Sequence, residues 1–212
     1  MTKKDKVLKI KDFFDAAYPD ATCSLRYRDP FQLLVATQLA AQCTDARVNL
    51  VTPSLFAKFP TIKAFAEADT IEMEEAIKST GFYHNKARNL IACAQKLLSD
   101  FGGIVPDTME ELLSLPGVGR KTANLLLGDA FGKPAIVIDT HAKRITNRLG
   151  LTKNTDPTKI EMDLRKFVPE EIGSDLCHQF VYHGRALCTA RAPKCSCCGL
   201  QNLCDYYQKT VK

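Results

Sequence analysis

Leu115-Pro116-Gly117-Val118-Gly119-Arg120-Lys121-Thr122-Ala123 is the stretch that decides the fold, because two glycines flank one apolar residue between two helical patterns. Upstream, Asp107 and Glu110 stand at capping-box spacing and predict a short helix through Leu112 and Leu113 that Pro116 ends. Downstream, Ala123, Leu126, Leu127 and Ala130 share one face of a second helix that begins near Arg120 and is stopped by Gly132 and Pro134. The pair forms a helical hairpin over about residues 107–131. Its glycines allow a tight turn whose backbone N–H groups all point outward at the N-terminus of the second helix. Such a nest binds phosphate, so it reads a nucleic-acid backbone and not a base sequence. Gly117, Val118, Gly119 and Arg120 are therefore candidate DNA contacts.

Working outward, apolar residues recur at helical spacing almost everywhere. The clearest case is Ala87, Leu90, Ile91, Ala94, Leu97, Leu98 and Phe101, followed by the Gly102-Gly103 stop. Weaker patterns predict helices over Lys4–Ala17, Pro30–Gln42, Thr44–Ala57 with a kink at Pro53, Thr70–Lys78, His141–Leu149, Pro157–Phe167 and Asp175–Leu187. No stretch sustains strand alternation, so the chain reads as all-α. There is no repeat and no long linker, so a second lobe must share helices with the first.

At 212 residues with 45% hydrophobic content, the chain has ample material for a core. The net charge of +5 favours a polyanionic partner without requiring one. No apolar run approaches a signal segment or a membrane span, so no membrane partner is expected. The expected setting is the cytoplasm, on the nucleoid if the source is bacterial, and the expected state is a monomer.

Nine cysteines without an export signal point to a reducing interior with thiols and metal ligands in place of disulfides. Four of them, Cys188, Cys195, Cys198 and Cys204, form a C-x6-C-x2-C-x5-C series. The loops between them are too short for a core of their own, so a metal must supply the local fold. Spacing leaves open whether that metal is an iron-sulfur cluster or Zn, since both take four thiolates. Cys197 could replace Cys198 as a ligand. The other leftovers, Cys23, Cys43, Cys93 and Cys177, and Cys197 if unused, read as small buried apolar residues.

L-P-G-V-G-R-K-T-A at Leu115–Ala123, V-I-D-T-H at Val137–His141 and the four-cysteine series occur in that order, and together they resemble the helix-hairpin-helix DNA glycosylases, most closely the endonuclease III family. The resemblance runs essentially from end to end. It implies a two-lobed fold, with a six-helix barrel over residues 22–133 and an iron-sulfur lobe made of residues 1–21 with 134–212. It also implies a [4Fe-4S] cluster on Cys188, Cys195, Cys198 and Cys204. The implied activity is a bifunctional DNA glycosylase and AP lyase of base excision repair. Its implied partner is duplex DNA carrying oxidised pyrimidines or abasic sites.

Lys121 falls at the family's catalytic lysine and Asp139 at its second catalytic residue. At a helix N-terminus, and if partly buried, a lysine loses stability as a cation and offers free amine to attack C1′ of a damaged nucleotide. The helix from Lys121 to Phe131 climbs roughly 16 Å, and the return to Asp139 can span about 23 Å, so chain length permits the carboxylate to come back beside the amine. Taken alone, Asp139 reads equally well as the N-cap of the helix holding His141. By resemblance, Gln42 and Phe82 fall at two wedge positions that fill the duplex when a base is extruded; leucine is frequent at the second, so Phe82 departs in size. Arg191 and Lys194, inside the cysteine series, offer fixed cations to phosphates.

Two other readings compete. Adenine-specific glycosylases share the hairpin, aspartate and cluster, but typically lack lysine where this chain has Lys121 and carry an acidic residue where it has Leu33–Cys43 without one. A catalytically silent DNA-binding module with a Zn site would bind phosphates and form no covalent intermediate.

Overall fold

Short polar side chains ahead of apolar runs set most of the helix starts. The computed structural model describes residues 1–210, and among these there is no β-strand. The helices are α1 (Lys3–Ala17), α2 (Pro30–Leu39), α3 (Asp45–Lys58), α4 (Ile62–Ala66), α5 (Thr70–Ile77), α6 (Tyr83–Phe101), α7 (Met109–Ser114), α8 (Arg120–Leu125, widening into a π-helical segment at Leu126–Ala130), α9 (Thr140–Arg148), α10 (Pro157–Leu164), α11 (Gly173–Ala186) and α12 (Asp205–Thr210). Thr2 and Asp5 complete a capping box at α1, while Asp29 with Pro30 and Asp156 with Pro157 open α2 and α10 by a capping side chain and a proline at the first helical position.

Several expected boundaries move. The cap of α7 is Thr108, whose hydroxyl accepts from Glu111 N at 3.3 Å, one residue after the expected Asp107–Glu110 pair. Thr108 and Glu111 have the same box spacing, and that register leaves Asp107 to pair with Lys133 at 2.7 Å. Helix α2 stops at Leu39, short of Gln42, because Gln42 takes a left-handed backbone with φ 54° that no helix can continue. Helix α3 runs through Pro53 to Lys58. In α8 the last bond widens, with Phe131 N donating to Leu126 O at 3.2 Å, five residues back. Tyr27 reaches that segment and donates its hydroxyl to Asp129 O at 3.0 Å.

Backbone contacts divide the chain into two units, Cys23–Lys133 and Met1–Thr22 together with the segment from Pro134 onward. In the first, α2 is buried from Leu33 to Leu39, and α6 turns Ala87, Leu90, Cys93, Ala94 and Leu97 inward. Helices α4 and α5 pack on α6. Phe65 sits among three aromatic rings, edge-on to Phe31 at 5.1 Å and tilted against Phe59 at 5.7 Å and Phe56 at 6.2 Å. Truncating a residue such as Leu97 or Phe65 there costs about 2 to 5 kcal/mol.

In the second unit, α11 packs on α9 and α1. Phe14 of α1 meets Phe180 of α11 edge-on at 5.7 Å and lies 5.1 Å from the His183 ring. Val137 donates its backbone N–H to Cys177 Sγ at 3.2 Å, so Cys177 is buried with a partner, and Cys93 is buried as expected. Cys23 and Cys43 are only half-buried, and the expectation fails outright for Cys197, which is exposed.

Candidate active site

The hairpin turn divides its labour between two glycines. Gly117 has φ 76°, and a Cβ there would lie 2.6 Å from Gln38 Oε1, so glycine is required by both backbone and packing. Gly119 has φ −100°, and nothing stands within 4 Å of a Cβ built on it. Its missing side chain therefore serves no internal contact; it clears the approach to the N-terminus of α8. The expectation that every N–H of the turn points outward is corrected at Val118, which is buried and donates to Leu115 O at 3.1 Å. Val118 closes the turn and pins it to the core, while Gly117 and Gly119 remain exposed on either side.

Lys121 follows in the first turn of α8 and is exposed, not partly buried. The half-exposed thiol of Cys23 shares its neighbourhood: burial, and then the Asp129 carboxylate, push that thiol up to about 11, while Lys121 acts in the opposite direction. No sequence pattern links residues 23, 121 and 129, and only the fold collects them.

Gln42 and Phe82 share an unusual backbone. Among the described residues they are the only non-glycine positions with positive φ, at 54° and 51°. Each conformation costs about 1 to 2 kcal/mol, and such strain gathers at functional sites. Both side chains are exposed, and Phe82 is 63% exposed despite its size, so it is not a core residue. In Phe82 the strained residue also serves as the N-cap of α6 without a side-chain bond.

In the other unit, Asp139 caps α9, its Oδ1 accepting from Ala142 N at 2.7 Å. Its carboxylate is half-exposed and its position is held by the helix it caps. Two residues on, His141 receives a hydrogen bond at Nδ1 from Arg144 Nη2 at 3.0 Å. Burial lowers its pKa; Asp139 pulls it up and Arg144 pushes it further down.

Cys188, Cys195, Cys198 and Cys204 line one cavity, together with Ile145, Leu149, Leu187 and Leu200. Cys197 is absent from that wall and faces solvent. Burial pushes the thiols of Cys198 and Cys204 up, and the other thiols of the series add to it. Four soft sulfur donors on one cavity wall suit an iron-sulfur cluster or Zn. Among the described residues no group of three or more His, Cys, Asp or Glu is drawn in to metal-binding distances. The donor set fits a four-thiolate group by its chemistry and by its shared cavity.

Arg144 and Arg148, four apart on one face of α9, were not singled out from sequence. Arg144 Nε donates to Cys188 O at 2.9 Å. Arg148 donates to Cys188 Sγ at 3.2 Å, to Thr189 O at 2.8 Å and to Ala190 O at 3.0 Å, fixing the loop between the first two cysteines. Arg191 and Lys194 are exposed on that loop, and the Lys194 N–H donates to Leu187 O at 2.9 Å. The i, i+4 spacing was the available signal, but it is also the spacing of any solvated basic face. No helix among the described residues is long and apolar enough to cross a membrane.

The model of the HhH-GPD superfamily base excision DNA repair proteins matches residues 35–170. The chain is 52% identical to an endonuclease III of Synechocystis sp. over 208 residues, covering 98% of this chain and 95% of that one. Among solved structures, it superposes on a trapped endonuclease III–DNA covalent intermediate with a TM-score of 0.93, at 41% identity and with all of both chains covered. A thermostable thymine-DNA glycosylase follows at a TM-score of 0.85 and 26% identity, with 98% of this chain and 97% of that one covered.

Proposed function

The chain belongs to the endonuclease III family of the HhH-GPD base excision DNA repair proteins and is a bifunctional DNA glycosylase and AP lyase; from that premise we propose that it removes oxidised pyrimidines from duplex DNA through Lys121 and Asp139. The observation that carries this reading is Lys121 itself, an exposed amine two residues beyond Gly119, where nothing stands within 4 Å of an added Cβ, in the unit that also holds the strained, exposed Gln42 and Phe82.

The backbone at Gly117 and Gly119 grips a phosphate and sets the strand in register, with Arg120, Arg191 and Lys194 adding sequence-independent attraction. Phe82 and Gln42 enter the space left by the extruded nucleotide, where an aromatic ring stacks on exposed bases. Lys121 Nζ, as free amine, attacks C1′; the bond from C1′ to the base breaks and the base leaves with the electron pair. The lysine nitrogen gives up a proton, its lone pair expels the ring oxygen from C1′, that oxygen takes up a proton, and a Schiff base remains. Removal of a C2′ proton then expels the 3′ phosphate and nicks the strand. Asp139 stabilises positive charge developing on the sugar and serves as the acid–base group of the reaction. Its cap bond fixes where that carboxylate stands.

Cys188, Cys195, Cys198 and Cys204 would hold the [4Fe-4S] cluster of the family. When bound, it supplies four metal–thiolate links in place of a hydrophobic core. Arg148 neutralises thiolate charge there and fixes the loop that presents Arg191 and Lys194.

The test is borohydride trapping on duplex DNA containing a thymine glycol. The wild-type chain gives a covalent adduct and a nick, and Lys121→Gln binds the same DNA but gives neither. Normal trapping by Lys121→Gln would remove the lysine from the chemistry. Binding without any adduct in the wild-type chain would favour a silent DNA-binding module.

A further inference from the structure

Lys86 is a cation buried in an unfavourable place. It is 6% exposed and lies in the first turn of α6, where the helix dipole opposes positive charge. Burial lowers its pKa from the ordinary lysine value. What its ammonium meets is not a carboxylate but two backbone carbonyls, Leu39 O at 2.8 Å and Thr80 O at 2.8 Å.

Those carbonyls belong to the two strained loops. Leu39 is the last residue of α2, so its carbonyl is among those a helix end leaves without an intrahelical donor, at the negative end of the dipole. Three residues later comes Gln42, and two residues after Thr80 comes Phe82, both with left-handed backbones. The segments are far apart in sequence, and the ammonium bonds both at once. We propose that Lys86 is a positioning residue that clamps these two loops together and thereby sets the spacing of Gln42 and Phe82 on which base extrusion depends. This rests on the wedge reading of those two residues. Lys86 touches no reacting atom; it acts through the backbone that carries them. Removing the ammonium leaves two buried carbonyls unpaired and lets the loops move independently, and small misplacements of this kind slow catalysis by roughly ten- to a hundredfold.

Lys86→Met keeps the methylene stem and removes both hydrogen bonds, so it is the informative variant. Single-turnover excision of thymine glycol from duplex DNA and nicking of a pre-formed abasic site in single-stranded DNA are measured for it, and again in a Gln42→Ala/Phe82→Ala background. The expected result is a loss of duplex excision of about tenfold, near-normal nicking of the single strand, and no further duplex loss when the wedges are already gone. Lys86→Arg, which keeps charge and donors, should restore part of the duplex rate. An unchanged duplex rate in Lys86→Met overturns the proposal, as does an equal loss on both substrates or an equal loss in both backgrounds, because a general structural role would act without the wedges. If Lys86→Met does not fold, Lys86→Arg is carried through the same cycle and judged by the same dependence on the wedges. Failure of the wedge reading is separately visible: the Gln42→Ala/Phe82→Ala chain would then excise from duplex at the wild-type rate.

Discussion

Between Cys23 and Lys133 the chain closes on apolar side chains, with Leu33, Leu34, Leu39, Leu55, Phe65 and Leu97 all at 0% exposure, whereas from Cys188 to Cys204 only Leu200 is buried. The first region folds by removing hydrocarbon from water. The second has short turns, four thiols around one cavity, and arginine bonds to the loop backbone. Stability in the first is spread over many apolar contacts, while the second has almost no buried side chain and is held by short turns and arginine bonds. The consequence for function is a separation: the region with a hydrophobic core can carry exposed and strained residues such as Lys121, Gln42 and Phe82, because its stability does not depend on them.

The largest effect is expected in the cysteine series. Cys198→Ser should lose the cluster and unfold the cysteine loops, because binding free energy of a structural metal site, on the order of 10 kcal/mol, is folding free energy there. Cys197→Ser should keep full colour and iron content, since its thiol faces solvent. Iron and sulfide analysis with visible absorption checks both; a bleached Cys197→Ser with an intact Cys198→Ser would reassign the ligand. A folded, colourless wild-type chain holding one Zn would replace the cluster altogether.

Next come the two proposed catalytic residues, where suitable substitutions should separate chemistry from stability. Lys121→Gln should unfold within about 0.5 kcal/mol of wild type, as exposed substitutions do, while borohydride trapping disappears. For Asp139, cap and catalysis can be pulled apart, because asparagine caps a helix about as well as aspartate. Asp139→Asn should lose most turnover and keep its melting temperature. Asp139→Ala should lose the turnover and about 1 kcal/mol of stability as well. Equal turnover in wild type and Asp139→Asn would leave Asp139 as a cap only.

The two glycines of the hairpin sharpen the contrast within one turn. Gly117→Ala places a methyl 2.6 Å from Gln38 Oε1 at a positive φ, and should cost about 1 to 3 kcal/mol by denaturant unfolding. Gly119→Ala meets nothing within 4 Å, so its stability should stay within about 0.5 kcal/mol of wild type. Its DNA affinity should nevertheless fall, because the methyl occupies the opening a phosphate would use. Unchanged affinity in Gly119→Ala would count against that opening as the phosphate site.

The smallest stability effect is expected at Phe82. Truncating a buried phenylalanine such as Phe14 should cost about 3 to 5 kcal/mol. Phe82→Ala should cost almost nothing, since the ring is 63% exposed. Excision from duplex should slow, with less effect on nicking at a pre-formed abasic site. A slowing of equal size on both substrates would remove Phe82 from extrusion.

Local patterns carried the all-α class, the hairpin and the series of four cysteines, because each depends on residues close in sequence: a glycine turn, apolar residues at helical spacing, thiols at short spacing; Lys121 and Asp139 were singled out by family resemblance, and for Asp139 the local pattern alone predicted the helix cap that is found. Boundaries were less legible. Thr108 and Asp107 offer competing capping boxes one residue apart, and only the pairing of Asp107 with Lys133 shows how the unchosen acid is used. The place of Cys198 on the cavity wall and of Cys197 in solvent, the inward turn of Val118, the exposure of Lys121 and the burial of Lys86 between two distant carbonyls were decided by tertiary structure alone. The physical reason is range. Hydrogen-bond caps and helical periodicity act over three or four residues and are written in order along the chain, whereas the direction a side chain faces, and what surrounds it, is set by segments that meet only after the backbone has folded.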